Sequence, residues 1–185
     1  LDIRLLTPAD TDAILRLIEL AGWNQTARDV ERLLTLEPAG CFAAVIDGRV
    51  VGTTTTTTYG TELAWVGMVL VDPEYRRRGI AMALMEKALD FLRGCGIRTI
   101  KLDATPAGQP LYERLGFQCE SPLERWEGTP DEDRLEDVSL GTWDDVAEID
   151  RRAFGADRSA LMRTIIADGG PPLVSGNRWG GIGGY

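Results

Sequence analysis

Thirteen residues, Val69-Leu70-Val71-Asp72-Pro73-Glu74-Tyr75-Arg76-Arg77-Arg78-Gly79-Ile80-Ala81, restrict the fold more than any other stretch. An apolar, β-branched run stops at Asp72-Pro73. Three arginines follow, and Gly79 opens a segment whose apolar residues Ile80, Leu84, Ala88 and Phe91 recur at helical spacing. A strand, a tight turn and a helix start in that order aim several backbone N–H groups and the positive end of a helix dipole at one point. That point suits a phosphate. Gly79 and Ala81 are small where the main chain must approach it, the N–H groups of Arg77 to Met82 are the donors, and the arginine side chains add charge. A surface turn with solvated arginines is the plainer alternative. There is no Gly-Lys-Ser/Thr ending and no Gly-x-Gly-x-x-Gly, which sets aside nucleotide and dinucleotide loops.

The segments on either side read as alternating strands and helices. Ile3 to Leu6 is a first strand. Thr7-Pro8-Ala9-Asp10 is a capping sequence for a helix carrying Ile14, Leu17, Ile18 and Ala21 and closed by Gly22. Thr26 with Asp29 starts a second helix, with Val30, Leu33 and Leu34 inward and Pro38 at its end. Cys41 to Ile46, Asp47-Gly48 and Arg49 to Tyr59 read as a hairpin, because Asp-Gly suits the mirror-image turns. Its second strand holds Thr53 to Thr58, β-branched residues of which alternate members could show hydroxyls to a cleft. Leu63 to Val71 is apolar on both faces and so central. After the helix from Gly79, stopped by Gly94 and Gly96, Arg98 to Asp103 is a strand parallel to Leu63–Val71. Leu111 to Leu115 is a short helix and Phe117 to Arg125 a last strand.

The chain has 185 residues and a net charge of −9, which argues against a general nucleic-acid binder and makes Arg76–Arg78 a local exception. Without histidine, no His-ligated metal and no Ser-His or Cys-His nucleophile can form. Cys41, Cys95 and Cys119 make no Cys-x-x-Cys pair, so the expectation is a reduced, cytoplasmic protein with no metal. No apolar run reaches membrane-spanning length and no signal-like leader is visible, so no membrane partner is expected. The chain begins without Met and stops after Gly183-Gly184-Tyr185, as a fragment of a longer protein would.

Arg76-x-x-Gly79-x-Ala81 behind Val71-Asp72-Pro73 resembles the acyl-CoA diphosphate loop of the GNAT superfamily of N-acetyltransferases. About 35 residues later, Pro110-Leu111-Tyr112-Glu113-Arg114-Leu115-Gly116-Phe117 resembles that superfamily's tyrosine-bearing helix and following turn. The resemblance covers residues 1–126 and implies an α/β (α+β) fold, a GNAT-like mixed central sheet with flanking helices. It implies acetyl-CoA as co-substrate, bound by Arg76, Arg77, Arg78, Gly79, Ile80, Ala81 and Met82, with main-chain groups of Val69, Leu70 and Val71 pairing the pantetheine arm. Tyr112 matches the tyrosine that protonates the departing thiolate. Asp103 stands in Asp103-Ala104-Thr105-Pro106, where many relatives have an asparagine, and Arg77 and Ala81 stand where glycine is commoner. The loop between the first two helices often lines the acceptor pocket, which assigns Trp23 and Asn24 there, with Trp65 as a further candidate.

An attacking amine must lose a proton, and without histidine the base is a carboxylate, a tyrosine or a water chain; Glu62 is the single residue chosen. The expected reaction is direct acetyl transfer to a primary amine of a small molecule or peptide, for which the acidic balance suits a cationic acceptor. A non-catalytic acyl-CoA sensor or partner-binding module is the alternative. A homodimer is compatible with the sequence and not required by it.

Residues 127–134 read as an acidic linker, and residues 135–185 repeat the opening of the chain. Val146, Ile149 and Ala153 match Ile14, Leu17 and Ala21 at an offset of 132, and Met162, Ile165 and Ile166 match Val30, Leu33 and Leu34. Thr142 with Asp145 supplies another capping box. A partial second GNAT-like unit, a tandem repeat cut within two helices and a hairpin, is therefore expected.

Overall fold

Two long strands, β3 (Arg49–Tyr59) and β4 (Leu63–Val71), form the middle of a five-stranded sheet. β1 (Asp2–Leu5) and β2 (Phe42–Ile46) continue it on one side and β5 (Thr99–Leu102) on the other, in the order β1-β2-β3-β4-β5. All neighbours are antiparallel except β4 and β5, which run parallel as a strand–helix–strand crossover requires. The computed structural model describes residues 1–124, 139–175 and 178–181, and these fall into two compact units divided between Ser121 and Pro122. The expected linker at 127–134 lies outside the described residues.

In the first unit, the predicted capping residues act at both early helices. The Thr7 main-chain N–H and hydroxyl donate to Asp10 at 2.9 Å each, holding a 3₁₀ turn (Pro8–Asp10) that runs into α1 (Thr11–Ala21). Thr26 and Asp29 do the same for α2 (Ala27–Leu36). α1 ends on Gly22, whose φ of 70° is the left-handed conformation that glycine adopts without strain. Asp47 and Gly48 both have positive φ, the requirement of the two-residue hairpin turn between β2 and β3.

α1 and α2 cover one face of the sheet, packing Ile14, Leu17, Ile18, Val30 and Leu34 on Ala43, Val50, Met68 and Leu70. α3 (Ile80–Gly94) and α4 (Gln109–Arg114) contribute to the other clusters. Ile80, Leu84 and Ala88 pack with Phe42, Ala44 and Val51, and Met85, Leu92 and Tyr112 with Ala64 and Val66.

Two expectations for this unit fail. Thr53 to Thr57 are all buried, so their hydroxyls serve the interior and not a cleft. Thr53 donates to the Met68 carbonyl at 2.8 Å and Thr56 to the Gly40 carbonyl at 3.0 Å. The expected last strand is absent over Phe117–Glu124, and Arg125 lies outside the described residues. Gly116, at φ 90°, turns the chain so that the Phe117 N–H bonds the Tyr112 carbonyl and its ring packs edge-on against Tyr112. Every residue from Gln118 to Glu124 is exposed, and alternation with no face to bury does not hold a strand.

In the second unit, β6 (Ser139–Leu140), β7 (Leu173–Ser175) and β8 (Arg178–Gly181) form an antiparallel sheet, with α5 (Trp143–Phe154) and α6 (Ser159–Gly169) between β6 and β7. Trp143, Val146 and Met162 are its buried cluster, with Ile165 and Ile166 against it. Ile149 is 39% exposed, against its expected match to buried Leu17, and Ala153 is exposed too. The buried position is instead Asp150, held by three hydrogen bonds from Arg158.

Candidate functional site

The distinctive local feature of β4 is one extra residue. Thr55 pairs with Gly67 and Thr53 with Leu70, so Thr54 faces both Met68 and Val69 across a bulge, and Met68 has φ 50°. The Thr53 hydroxyl takes up the Met68 carbonyl there. On its other side, β4 pairs with β5 only from Leu63↔Thr99 to Val66↔Leu102. Beyond Val66 the two strands part. Among the described residues, the edge of Gly67–Val71 that would face β5 therefore has no strand partner, and Asp103 stands exposed one residue past the last pair. Such an edge can take an extended ligand as if it were a strand.

The strand leads straight into the arginine turn. Asp72 caps a 3₁₀ turn (Pro73–Tyr75) by accepting the Glu74 N–H at 3.1 Å. Arg77 and Gly79 both lie in the left-handed region, at φ 62° and 78°. Left-handed residues in a turn let successive main-chain N–H groups converge on an anion. Arg77 accepts a strained backbone that costs an ordinary L-residue about 1–2 kcal/mol, which is the physical reason glycine suits this position. The first helical bond of α3 runs from the Ala83 N–H to the Gly79 carbonyl, so the N–H groups of Ile80, Ala81 and Met82 have no acceptor within the helix. Arg76 folds back, its Nε donating to the Val71 carbonyl at 3.2 Å, and Arg78 donates to the Glu74 carbonyl while lying over the Tyr75 ring. The structure thus joins Val69–Val71 and Arg76–Met82 into one continuous feature.

Tyr112 shares a cluster with Val69 and Leu102, which places it beside the opening. It is 8% exposed, and burial pushes its phenol pKa above the ordinary tyrosine value. Glu62 is not brought to this place. It precedes β4, where its carboxylate accepts from Arg98 Nη1 at 2.9 Å in an exposed ion pair, seven residues and roughly 20 Å of extended strand from Val69. Trp23 is half-buried against the α1/α2 core, Asn24 is exposed, and Trp65 lies on β4 opposite Thr57 and Lys101. Burial pushes the Cys41 thiol up to about 11, which leaves no thiolate nucleophile there.

Sequence reasoning missed the support beneath this feature. Asp72 is 2% exposed and accepts from Arg16 Nη1 at 2.7 Å and Arg49 Nη2 at 3.3 Å. Burial pulls its pKa upward, but the Arg16 hydrogen bond, the Glu74 N–H and the two guanidinium charges win and hold it below the usual carboxylate value. In the sequence, an arginine off the apolar stripe of α1 gives no sign of a partner 56 residues away, and only the Asp-Pro turn was visible in advance.

A bulged strand parting from its parallel neighbour and feeding an anion-binding helix start agrees with the comparison to known sequences, in which the profile of the acetyltransferase (GNAT) family matches residues 9–117. The chain belongs to that family. Among curated relatives, the holothin acyltransferase of a Pseudoalteromonas species is 25% identical over 146 residues, which is 76% of this chain and 49% of the relative. YitH, an uncharacterised N-acetyltransferase of Bacillus subtilis, is 27% identical over 180 residues, 93% of this chain and 62% of its own length. A crystal structure from Pyrococcus horikoshii, provisionally described as an acetyltransferase, superimposes with a TM-score of 0.80 at 27% identity, covering 95% of this chain and 65% of that one. The chain thus spans about half to two thirds of the length of these relatives. Enzymes of the family use acetyl-CoA as co-substrate, and the site fits it. A diphosphate needs convergent donors and room, and a Cβ built on Gly79 would meet nothing within 4 Å. The arm needs an open strand edge, which Gly67–Val71 supplies.

Proposed function

We propose that the Leu1–Ser121 unit transfers an acetyl group from acetyl-CoA directly to a primary amine of a small molecule or peptide. The observation that carries this reading is the continuity of the Gly67–Val71 edge of β4, unpaired with β5 among the described residues, with the donors at the start of α3. In this reading Ile80, Ala81 and Met82 donate main-chain N–H groups to the diphosphate, and Arg76, Arg77 and Arg78 supply charge around it. Main-chain groups of Val69 to Val71 pair the pantetheine arm and polarise the thioester carbonyl. The amine nitrogen attacks that carbonyl, the C–S bond breaks, and the Tyr112 hydroxyl gives its proton to the departing sulfur. The proton lost by the amine goes to water or to a carboxylate, and solvent returns a proton to the Tyr112 phenolate. The exposed, arginine-paired position of Glu62 favours water relayed to solvent. Trp23, Asn24 and Trp65 remain the proposed acceptor-side residues.

Residues 135–185 are proposed as the start of a second GNAT-like unit. The order β6-α5-α6-β7-β8 parallels β1-α1-α2-β2-β3. Thr11 and Trp143, where α1 and α5 begin, are 132 residues apart, as are Ala27 and Ser159, where α2 and α6 begin. The cytoplasm is the proposed compartment, supported by three free cysteines, two of them exposed.

The buried, unassisted Tyr112 and the distant Glu62 favour a second reading, an acyl-CoA sensor without turnover. Free thiol measured while acetyl-CoA is incubated with a panel of primary amines separates the two. Amine-dependent thiol release is expected. Tight CoA binding with no release across the panel would transfer the assignment to a sensor.

A further inference from the structure

We propose that Arg16 of α1 is a positioning residue for the coenzyme loop, acting through Asp72, so that the helix leading to the acceptor-side loop also sets the diphosphate cradle. The inference rests on the coenzyme site proposed above. Arg16 is the only arginine joined by hydrogen bonds to both sides of the strand pair beneath that cradle, among the bonds described. Its Nη1 donates to Asp72 Oδ2 at 2.7 Å and its Nη2 to the Val50 carbonyl of β3 at 3.0 Å. Asp72 is locked in turn. Its N–H donates to the Val51 carbonyl at 2.9 Å, its Oδ1 accepts from the Glu74 N–H, and its carbonyl accepts from the Tyr75 N–H at 2.9 Å. The next turn of chain holds Arg76, bonded to Val71, and then the left-handed Arg77 and Gly79. A shift of the buried carboxylate is therefore handed directly to the N–H groups that meet the diphosphate. One and a half turns beyond Arg16, α1 ends at Gly22-Trp23-Asn24, the proposed acceptor side. Arg49 also reaches Asp72, but at 3.3 Å, with a side chain 50% exposed and on β3 itself, so it supplies charge without tying a second element.

A site held by side chains that are themselves fixed loses affinity when the fixing is removed, and displacements of about 1 Å can cost about 100-fold. Titration calorimetry of CoA into the wild-type chain, Arg16→Gln, Asp72→Asn, the double variant and Arg49→Ala tests the inference. Arg16→Gln and Asp72→Asn should each weaken CoA binding about 10- to 100-fold, the double variant no more than either alone, and Arg49→Ala within about twofold. In turnover the loss should appear in KM for acetyl-CoA with kcat changed little. Arg16→Lys keeps the charge on Asp72 and drops the Val50 bond. It should recover part of the affinity, and it carries the test if Arg16→Gln does not fold. Unaltered CoA affinity in folded Arg16→Lys and Asp72→Asn overturns the inference while leaving the coenzyme site standing. An equal loss in Arg49→Ala overturns it too, in favour of simple charge balance. Failure of the wild-type chain to bind CoA removes the coenzyme site and the inference with it.

Discussion

Tyr112 combines two facts that bear on chemistry: a phenol whose pKa burial pushes above its ordinary value, and membership of the cluster that includes Val69 at the strand opening. Tyr112→Phe keeps the packing and removes the proton. It should lower kcat by about 10²- to 10⁴-fold with CoA affinity unchanged within about twofold, and full turnover in the variant would remove this tyrosine from the reaction. Thr54 is a different case. It is fully buried, and its hydroxyl has no hydrogen-bond partner among the described residues. Thr54→Val removes an unsatisfied group at nearly constant shape and should raise stability by about 1 kcal/mol, read as a higher urea midpoint at unchanged slope. A lower midpoint would show that the hydroxyl is bonded to a buried water. Asp10 sets an acid limit. Two hydrogen bonds from Arg4, opposed by burial and aided by Thr7, depress its pKa from 3.8 to about 2. Its contribution is present above the unfolded value and disappears as pH falls from about 4 to about 2. Allowing for solvent at Arg4, which is 41% exposed, it is worth about 1–2 kcal/mol. Asp10→Asn should flatten the loss of Tm over that interval.

At the level of elements, the loop and α3 depend on backbone more than on side chains. Gly79 has open space around its missing Cβ, so the obstacle to Gly79→Glu is its φ of 78° together with a negative charge set beside a diphosphate. That variant should weaken CoA binding at least about 100-fold by calorimetry, and micromolar affinity retained would place the diphosphate elsewhere. β3 and β4 were legible to the residue, and the helices to within a few, because apolar spacing, Asp-Gly and the Thr-x-x-Asp caps act locally. The bulge was not legible, since Thr53, Thr54 and Thr55 differ only in what faces them across β4. The same blindness to partners misread the threonines as cleft-facing and turned Phe117–Glu124 into a strand. Of the proposed site, the loop and Tyr112 were readable as local patterns. The Arg16–Asp72 bond and the exile of Glu62 from the opening are products of long-range folding.

Over the whole molecule, two separate cores divide the chain, and the second keeps the helix starts of the first at a constant interval while exchanging which residues it buries. Val146 and Met162 held their expected places, whereas Asp150 with Arg158 is buried next to an exposed Ile149. A hydrophobic pattern carries the period of a helix and leaves its rotation open by one position. The early end of the β4–β5 ladder at Val66 has a thermodynamic consequence for the first unit. A sheet that leaves its own bonds unmade stores less cooperativity than its size allows, and whatever ligand supplies them adds its binding free energy to the native state alone. At a CoA concentration 100 times Kd that addition is about 2.7 kcal/mol, enough to move the midpoint of thermal unfolding upward by roughly 10 °C. Melting curves recorded against rising CoA should therefore climb with the logarithm of its concentration, which would make the proposed coenzyme a folding partner of the unit.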